Sequence, residues 1–160
     1  MMKRNMIVLI VCGMFLVSFP AFAGPLTGTT QGLPSIEAAV NCTPDIKANG
    51  SDGPITVSPS DSVSITISLN AGDKAGQNAD WWIAVSTPSG DWYTFVYPGL
   101  NWLPGVNLCA QTGLFDLAPY EVLNRTLPVG TYTFYFALDN PDGMATGPWW
   151  GMDSVEVNVQ

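Results

Sequence analysis

Histidine is absent from the 160-residue sequence, and this absence excludes several kinds of catalytic centre. A Ser-His-Asp or Cys-His nucleophile, a zinc ion held by imidazole and the commonest general base at neutral pH all require histidine. The sequence also has no Walker-type phosphate loop and no dinucleotide-binding fingerprint. Two carboxylates could hydrolyse a glycoside, but no acidic pair stands out by its spacing. The sequence therefore predicts a protein that is not an enzyme.

A signal peptide is predicted over residues 1–23. Lys3 and Arg4 form a basic head, residues 6–19 are an uncharged apolar run, and Ala21-Phe22-Ala23 ends the segment. The apolar run is too short, and has the wrong flanks, for a membrane-spanning helix. We expect cleavage near Gly24, no membrane insertion afterwards, and a secreted protein that is either periplasmic or extracellular.

Positive charge is scarce in the remaining chain. Lys47, Lys74 and Arg125 are its only basic residues, against 13 acidic ones, which leaves a net charge near −10. Such a surface repels phosphate backbones and anionic lipid headgroups. Nucleic acid and membrane surfaces are therefore disfavoured as partners, while a neutral ligand or a cation fits better.

Cysteine is also rare, with three residues in the whole sequence. Cys12 lies in the predicted signal peptide, so Cys42 and Cys109 remain. An even pair in an oxidising compartment favours a disulfide between them over two free thiols. A bridge closing so long a loop would stabilise the fold by about 4 kcal/mol.

Alternating apolar and polar residues predict strands through most of the chain. Residues 24–53 are rich in glycine and proline and are interpreted as an N-terminal arm, which leaves 54–160 as the folded domain. The alternation then predicts strands over 55–58, 63–70, 80–86, 92–97, 108–110, 113–115, 131–138 and 154–159. The second and third of the longer runs, 80–86 and 92–97, are joined by turn residues and are expected to form a hairpin.

About seven short strands without a convincing helix indicate an all-β protein, an antiparallel immunoglobulin-like β-sandwich. Tyr132 follows a glycine turn at the start of a late strand, where a tyrosine corner would donate a hydrogen bond to the preceding loop. Phe134, Phe136 and Leu138 would share its inward face, and Tyr135 would point outward.

Four segments resemble a module that recurs at the C-terminal end of secreted environmental bacterial proteins. They are PDIKANGSDGP (44–54), ADWW (79–82), FDLAPYEVLN (115–124) and LPVGTYTFYF (127–136), and the resemblance covers roughly residues 44–160. It implies a secreted bacterial β-sandwich. It supplies no catalytic residues, because the module has no established activity.

Aromatic residues supply the main candidate ligand site. In a strand, Trp81 and Trp82 must face opposite ways, and Trp81 aligns with the apolar residues Ile83 and Val85. We expect Trp81 in the core and Trp82 outside. Aromatic faces stack on sugar rings, so a glycan site is predicted at tryptophans on the outer face or near turns, although such rings also plug the ends of small sandwiches. The candidates are Trp82, Trp92, Trp102, Trp149 and Trp150.

A weaker candidate is a calcium site formed by Asp139, Asn140 and Asp142 with Asp153. The match to an EF-hand fails at its first ligand, where Leu138 stands, and the same residues also form tight turns without a metal. No other cofactor is expected. The leading hypothesis is a secreted, non-enzymatic binding or adhesion module for a glycan or cell-surface polymer. The alternative is a structural envelope or matrix subunit that binds a cell-surface or other protein.

Overall fold

The structure, a computed structural model, describes residues 42–160, and within that range every regular element except one three-residue 3-10 turn is a β-strand. The predicted signal peptide and residues 24–41 of the predicted arm lie outside the described residues. The strands are β1 (Thr43–Ala48), β2 (Ile55–Val57), β3 (Ser62–Asn70), β4 (Asn78–Ser86), β5 (Trp92–Val96), β6 (Asn101–Pro104), β7 (Ala110–Gly113), β8 (Leu117–Thr126), β9 (Gly130–Asp139) and β10 (Gly151–Val159).

The strands form two sheets. One has three strands in the order β1-β3-β8, and the other has the order β2-β10-β9-β4-β5-β6, with β7 also paired to β4. All pairings are antiparallel except that of β2 with β10, which is parallel. The prediction of an all-β, antiparallel protein is therefore confirmed.

Within residues 42–160, one hydrophobic core contains residues from both sheets. Strand β3 contributes Val63, Ile65, Ile67 and Leu69, the members of its two-residue alternation, and each is at most 4% exposed. Burying an aliphatic or aromatic side chain of this size contributes about 1.5–3 kcal/mol. The alternation thus sets which face of each strand is turned to the core.

The predicted inward face of the strand 131–138 is confirmed. Tyr132, Phe134, Phe136 and Leu138 are all buried on β9, whereas Tyr135 is only half-buried. The Tyr132 hydroxyl donates a hydrogen bond of 3.0 Å to the carbonyl oxygen of Pro128, as expected of a tyrosine corner. This bond ties the start of β9 to the loop before it.

Glycine is required at the first residue of β9. Gly130 has φ of 141°, and a Cβ built on it would lie 2.2 Å from Cγ of Pro88 in the turn between β4 and β5. No side chain fits there without displacing the proline ring. The close approach therefore packs the β4–β5 turn against the loop that precedes β9.

Three strands are absent from the sequence prediction. Strand β1 lies inside the segment that was interpreted as an arm. It was missed because its alternation of buried Ile46 and Ala48 with Asp45 and Lys47 is short and is flanked by turn residues. Strand β8 contains Pro119, which normally indicates a break, and β6 has only four residues. Pro119 is tolerated because β8 is an edge strand, where one row of backbone groups has no partner strand.

The predicted disulfide is wrong for this structure, in which Cys42 and Cys109 are both buried free thiols. Cys42 directly precedes β1 and lies near Asp73 and Lys74. The backbone of Cys109 is instead bonded to Trp81 and Tyr97. The two thiols therefore have different neighbours, and compartment and parity alone could not reveal this. Burial raises the pKa of Cys109 to about 11, and it also raises the pKa of Cys42.

Candidate functional site

The five predicted ligand-binding tryptophans do not form one exposed plane. Trp82 is buried, and Trp102 and Trp150 are half-buried and pack against the core. Only Trp92 and Trp149 are clearly exposed, each to 39%. These positions leave Trp92 and Trp149 as the candidates whose rings are open to a ligand from solvent.

Trp82 points away from the core, as predicted, yet it is only 6% exposed. Its indole Nε1 donates a hydrogen bond of 2.8 Å to Oδ1 of Asp139. Asp139 is 1% exposed and lies directly across from Asp80, which is fully buried. Sequence alternation gave the direction of the Trp82 side chain but not its burial, which depends on what covers the outer face.

The buried carboxylates hold the loop that follows β9. Asp80 accepts hydrogen bonds from Nε2 of Gln111 and from the backbone N–H of Gly143 in that loop. Burial raises the pKa of Asp139, and the nearby charges of Asp80 and Asp142 raise it further, against the opposing hydrogen bond from Trp82. Asp80 and Asp139 therefore attach this loop to the sheet, and burial disfavours the ionised form of Asp139.

The predicted calcium ligands are divided between two places. Asp139 is bonded to Trp82, and Oδ1 of the exposed Asp142 accepts from the Met144 N–H within its own turn. Oδ2 of Asp153 instead accepts a hydrogen bond of 2.9 Å from the Ile46 N–H of β1.

Asn140 is exposed, and its carbonyl oxygen accepts from the Asp142 N–H. Within residues 42–160, no group of three or more acidic, cysteine or histidine side chains is placed to hold a metal. Calcium binding stays a prediction, which a melting curve with and without chelator would test.

A cavity of about 680 Å3, named here the inter-sheet cleft, lies within residues 42–160. It arises because β4 changes partner along one edge: residues 78–81 pair with β7, whereas residues 84–86 pair with β5. Trp81 and Ile83 lie at this fork and line the cleft. Across from them, Ile67 of β3 and Leu117 of β8 supply the wall from the three-stranded sheet.

The backbone of Cys109 forms hydrogen bonds with β4 and with the residue that follows β5. Its N–H donates 3.0 Å to the carbonyl oxygen of Trp81, and its carbonyl oxygen accepts a 3.0 Å bond from the N–H of Tyr97. Cys109 is also one of the residues that line the cleft. Cys109 therefore joins β4 to the end of β5 at the point where these strands diverge.

Five of the described residues that line the inter-sheet cleft are aromatic. They are Trp81, Phe95, Tyr97, Phe115 and Tyr120. Three of these side chains are well exposed: Tyr97 to 65%, Phe115 to 51% and Tyr120 to 41%. Among residues 42–160, no Asp, Glu, Lys or Arg lines the cleft. A concave, mostly apolar cavity with a few polar groups is typical of sites for small molecules.

One polar group in this region has no partner. Nε1 of Trp81 is buried and makes no hydrogen bond, and it is the only such buried side-chain nitrogen or oxygen in the part of the chain that the structure describes. Trp81 is 5% exposed, and its ring contacts Phe115 and Phe136 at centroid distances of 5.4 and 5.9 Å. Leaving a buried N–H without an acceptor costs about 1–3 kcal/mol.

Sequence reasoning did not find the inter-sheet cleft. It placed Trp81 in the core correctly, but gave Phe115 and Tyr120 no role as site residues. Phe115 lies just before β8 and Tyr120 lies within it, and β8 is one of the three strands that the sequence did not predict. Only the packing of the sheets brings these residues to Trp81 and Tyr97. An excess of rings over the capacity of a small core was the one available signal.

No helix among residues 42–160 meets the length and hydropathy needed to cross a membrane. Comparisons of the chain with protein-family models, with curated proteins and with solved structures gave no match.

Proposed function

We propose that the protein is an exported, non-enzymatic binding module, and that its ligand site is the inter-sheet cleft. The observation that carries the proposal is a cavity of about 680 Å3 whose lining within residues 42–160 includes five aromatic residues and no charged one. Its volume lies within the range of about 300–1,000 Å3 that is usual for small-molecule sites. Export rests on the predicted signal peptide, and the resemblance to secreted bacterial modules supports it.

We also propose an immunoglobulin-like sandwich as the architecture. The tyrosine corner of Tyr132 and Pro128, the parallel pairing of β2 with β10, and a core shared by two sheets support it. In such a sandwich, the cleft would open on the side between β8 and the β4–β5 fork. A ligand entering there would contact both layers.

A fluorescent neutral probe tests the proposed site. N-phenyl-1-naphthylamine should bind saturably, because its rings match the apolar lining and it carries no charge that the cleft would leave unpaired. Thr112→Trp places a bulky ring on the exposed β7 lining and should weaken binding at least 10-fold. Thr56→Trp, at an exposed β2 threonine outside the cleft, is the matched control. Absence of saturable binding, or equal loss in both variants, would reject the cleft.

Glycan binding, the ligand class favoured by the sequence, is supported by a different surface. Trp92 is 39% exposed, and its ring lies 5.5 Å from that of Tyr135 on the outer face of the seven-stranded sheet. Two neighbouring rings could stack on a sugar. Retardation in polysaccharide gels should then be reduced by Trp92→Ala and unchanged by Trp149→Ala. No retardation on any polysaccharide would remove this second candidate.

A role as an envelope or matrix subunit would require a protein interface. Strand β8 is a long exposed edge, but Pro119, two register shifts, Glu121 and Arg125 oppose the addition of a further strand there. A protein partner would therefore contact side chains rather than extend the sheet. Size-exclusion chromatography with light scattering distinguishes this alternative, since a defined oligomer or a copurifying partner would favour it.

A further inference from the structure

Three buried or half-buried tryptophans differ in how their indole N–H groups are satisfied. Nε1 of Trp82 donates to Asp139, and Nε1 of Trp102 donates 2.9 Å to the carbonyl oxygen of Val122. Nε1 of Trp81 has no acceptor, although Trp81 is as deeply buried as Trp82. Buried indole N–H groups usually find a partner. Trp81 is also the only one of the three that lines the inter-sheet cleft.

We propose that the ligand itself supplies the missing acceptor: a neutral, mainly apolar organic molecule with a carbonyl-type oxygen that binds Nε1 of Trp81. This inference rests on the proposed function, since it assigns the chemistry of ligand that the cleft selects. The oxygen would meet the N–H while the apolar body of the ligand fills the space between the rings. Trp81 is then the specificity-determining residue of the site.

The charge of the site fixes the charge of the ligand. Among the described residues that line the cleft, a cation would find no carboxylate and an anion would find no Lys or Arg. Burying either charge without a partner is strongly unfavourable. The net acidity of the chain opposes an anion further. A neutral molecule with one acceptor is the class that satisfies Trp81 without leaving a new charge unpaired.

Phe115 controls access to the indole. Its ring packs against Trp81 at a centroid distance of 5.4 Å and an interplanar angle of 31°, yet the residue is 51% exposed. Phe115 follows β7 and precedes β8, so it belongs to neither strand. In the proposed complex, this half-exposed ring rotates away from Trp81 to admit the ligand, and the core changes little because Phe115 lies outside the core cluster.

A matched pair of probes tests the acceptor directly. Benzophenone and diphenylmethane have the same two rings and nearly the same shape, but only benzophenone carries a carbonyl oxygen. We expect both to bind in the cleft, with benzophenone about 10-fold tighter because one buried hydrogen bond is gained. In 1H–15N NMR spectra, the Trp81 indole resonance, identified by its absence in Trp81→Phe, should move downfield with benzophenone alone.

Variants separate the two levels of the proposal. Trp81→Phe keeps an apolar ring and removes the N–H, so the preference for benzophenone should disappear, while Trp92→Phe outside the cleft should retain it. Equal affinity of the wild-type protein for both probes, with no downfield shift, would overturn the acceptor and leave the cleft as a binding site. Binding of neither probe would overturn the proposed function as well. Both decisive outcomes come from the wild-type protein, so they stand even if Trp81→Phe does not fold.

Discussion

Trp102 was a candidate ligand residue, but its contacts predict a structural role that a conservative substitution can measure. Its indole belongs to β6 of the seven-stranded sheet and donates a 2.9 Å hydrogen bond to the Val122 carbonyl oxygen of β8 in the other sheet. Val122 falls at a register shift of β8, where it has no pairing partner on β3. The Trp102 ring also packs against Phe95 and Phe134 at 5.8 and 6.1 Å.

Replacing Trp102 with Phe removes the N–H and leaves the Val122 carbonyl oxygen without this donor. An orphaned acceptor costs about 1–3 kcal/mol, and the smaller ring loses packing area worth about 1 kcal/mol more. We therefore expect the free energy of unfolding to fall by about 2–4 kcal/mol, and Tm to fall by about 6–16 °C for a domain of this size.

Urea unfolding followed by circular dichroism measures the loss, with Trp149→Phe as the matched control. Trp149 is 39% exposed on the loop between β9 and β10, so the same substitution there should change the free energy of unfolding by less than about 0.5 kcal/mol. If the two variants lose the same stability, the hydrogen bond between the sheets contributes nothing measurable and the reasoning is refuted.

Three further predictions follow from the packing and the titrating groups. Gly130→Ala should lower the free energy of unfolding by about 2–4 kcal/mol, because the new Cβ clashes with Pro88. Gly90→Ala should lower it by only about 1–2 kcal/mol, because Gly90 has a positive φ of 86° but open space around it. Equal losses in urea unfolding would contradict this. Because the pKa of Asp139 is raised, the folded state holds its proton more tightly, so stability is lost as pH rises from about 3.8 through that raised pKa. Asp139→Asn should therefore be the more stable protein at pH 7, with the difference from wild type shrinking in acid; a constant difference would count against it. Iodoacetamide at pH 8 should label Cys42 and Cys109 only in denaturant. With a pKa of about 11, only about one Cys109 thiol in a thousand is ionised at that pH. Peptide masses that show a disulfide would contradict this prediction.

The strand pattern was predictable wherever alternation was long. Val63 to Leu69 and Tyr132 to Leu138 keep their two-residue period over seven residues, and both form strands with the predicted faces. Strand β1 and strand β8 were missed because a short alternation beside turn residues, or a proline, weakens the local signal. Their strand conformation is supported by pairing with β3, a contact between residues far apart in the chain.

The position of the proposed site could not be predicted from the sequence. The excess of rings pointed to Trp82, Trp102 and Trp150, which the fold uses for hydrogen bonding or packing. The cleft uses Tyr97 and Tyr120 instead. A ring near a turn gives no local sign of whether a neighbouring sheet will cover it.

The sequence by itself determined the absence of histidine, the all-β character and the inward face of the long strands, because residue types and a two-residue period are local properties. Only the tertiary structure decided that Cys42 and Cys109 stay unpaired, that Trp82 is covered, and that Trp81 carries an unsatisfied N–H beside a cleft. These features depend on which distant segments meet when two sheets pack, and on the change of partner along β4. No local pattern encodes that choice.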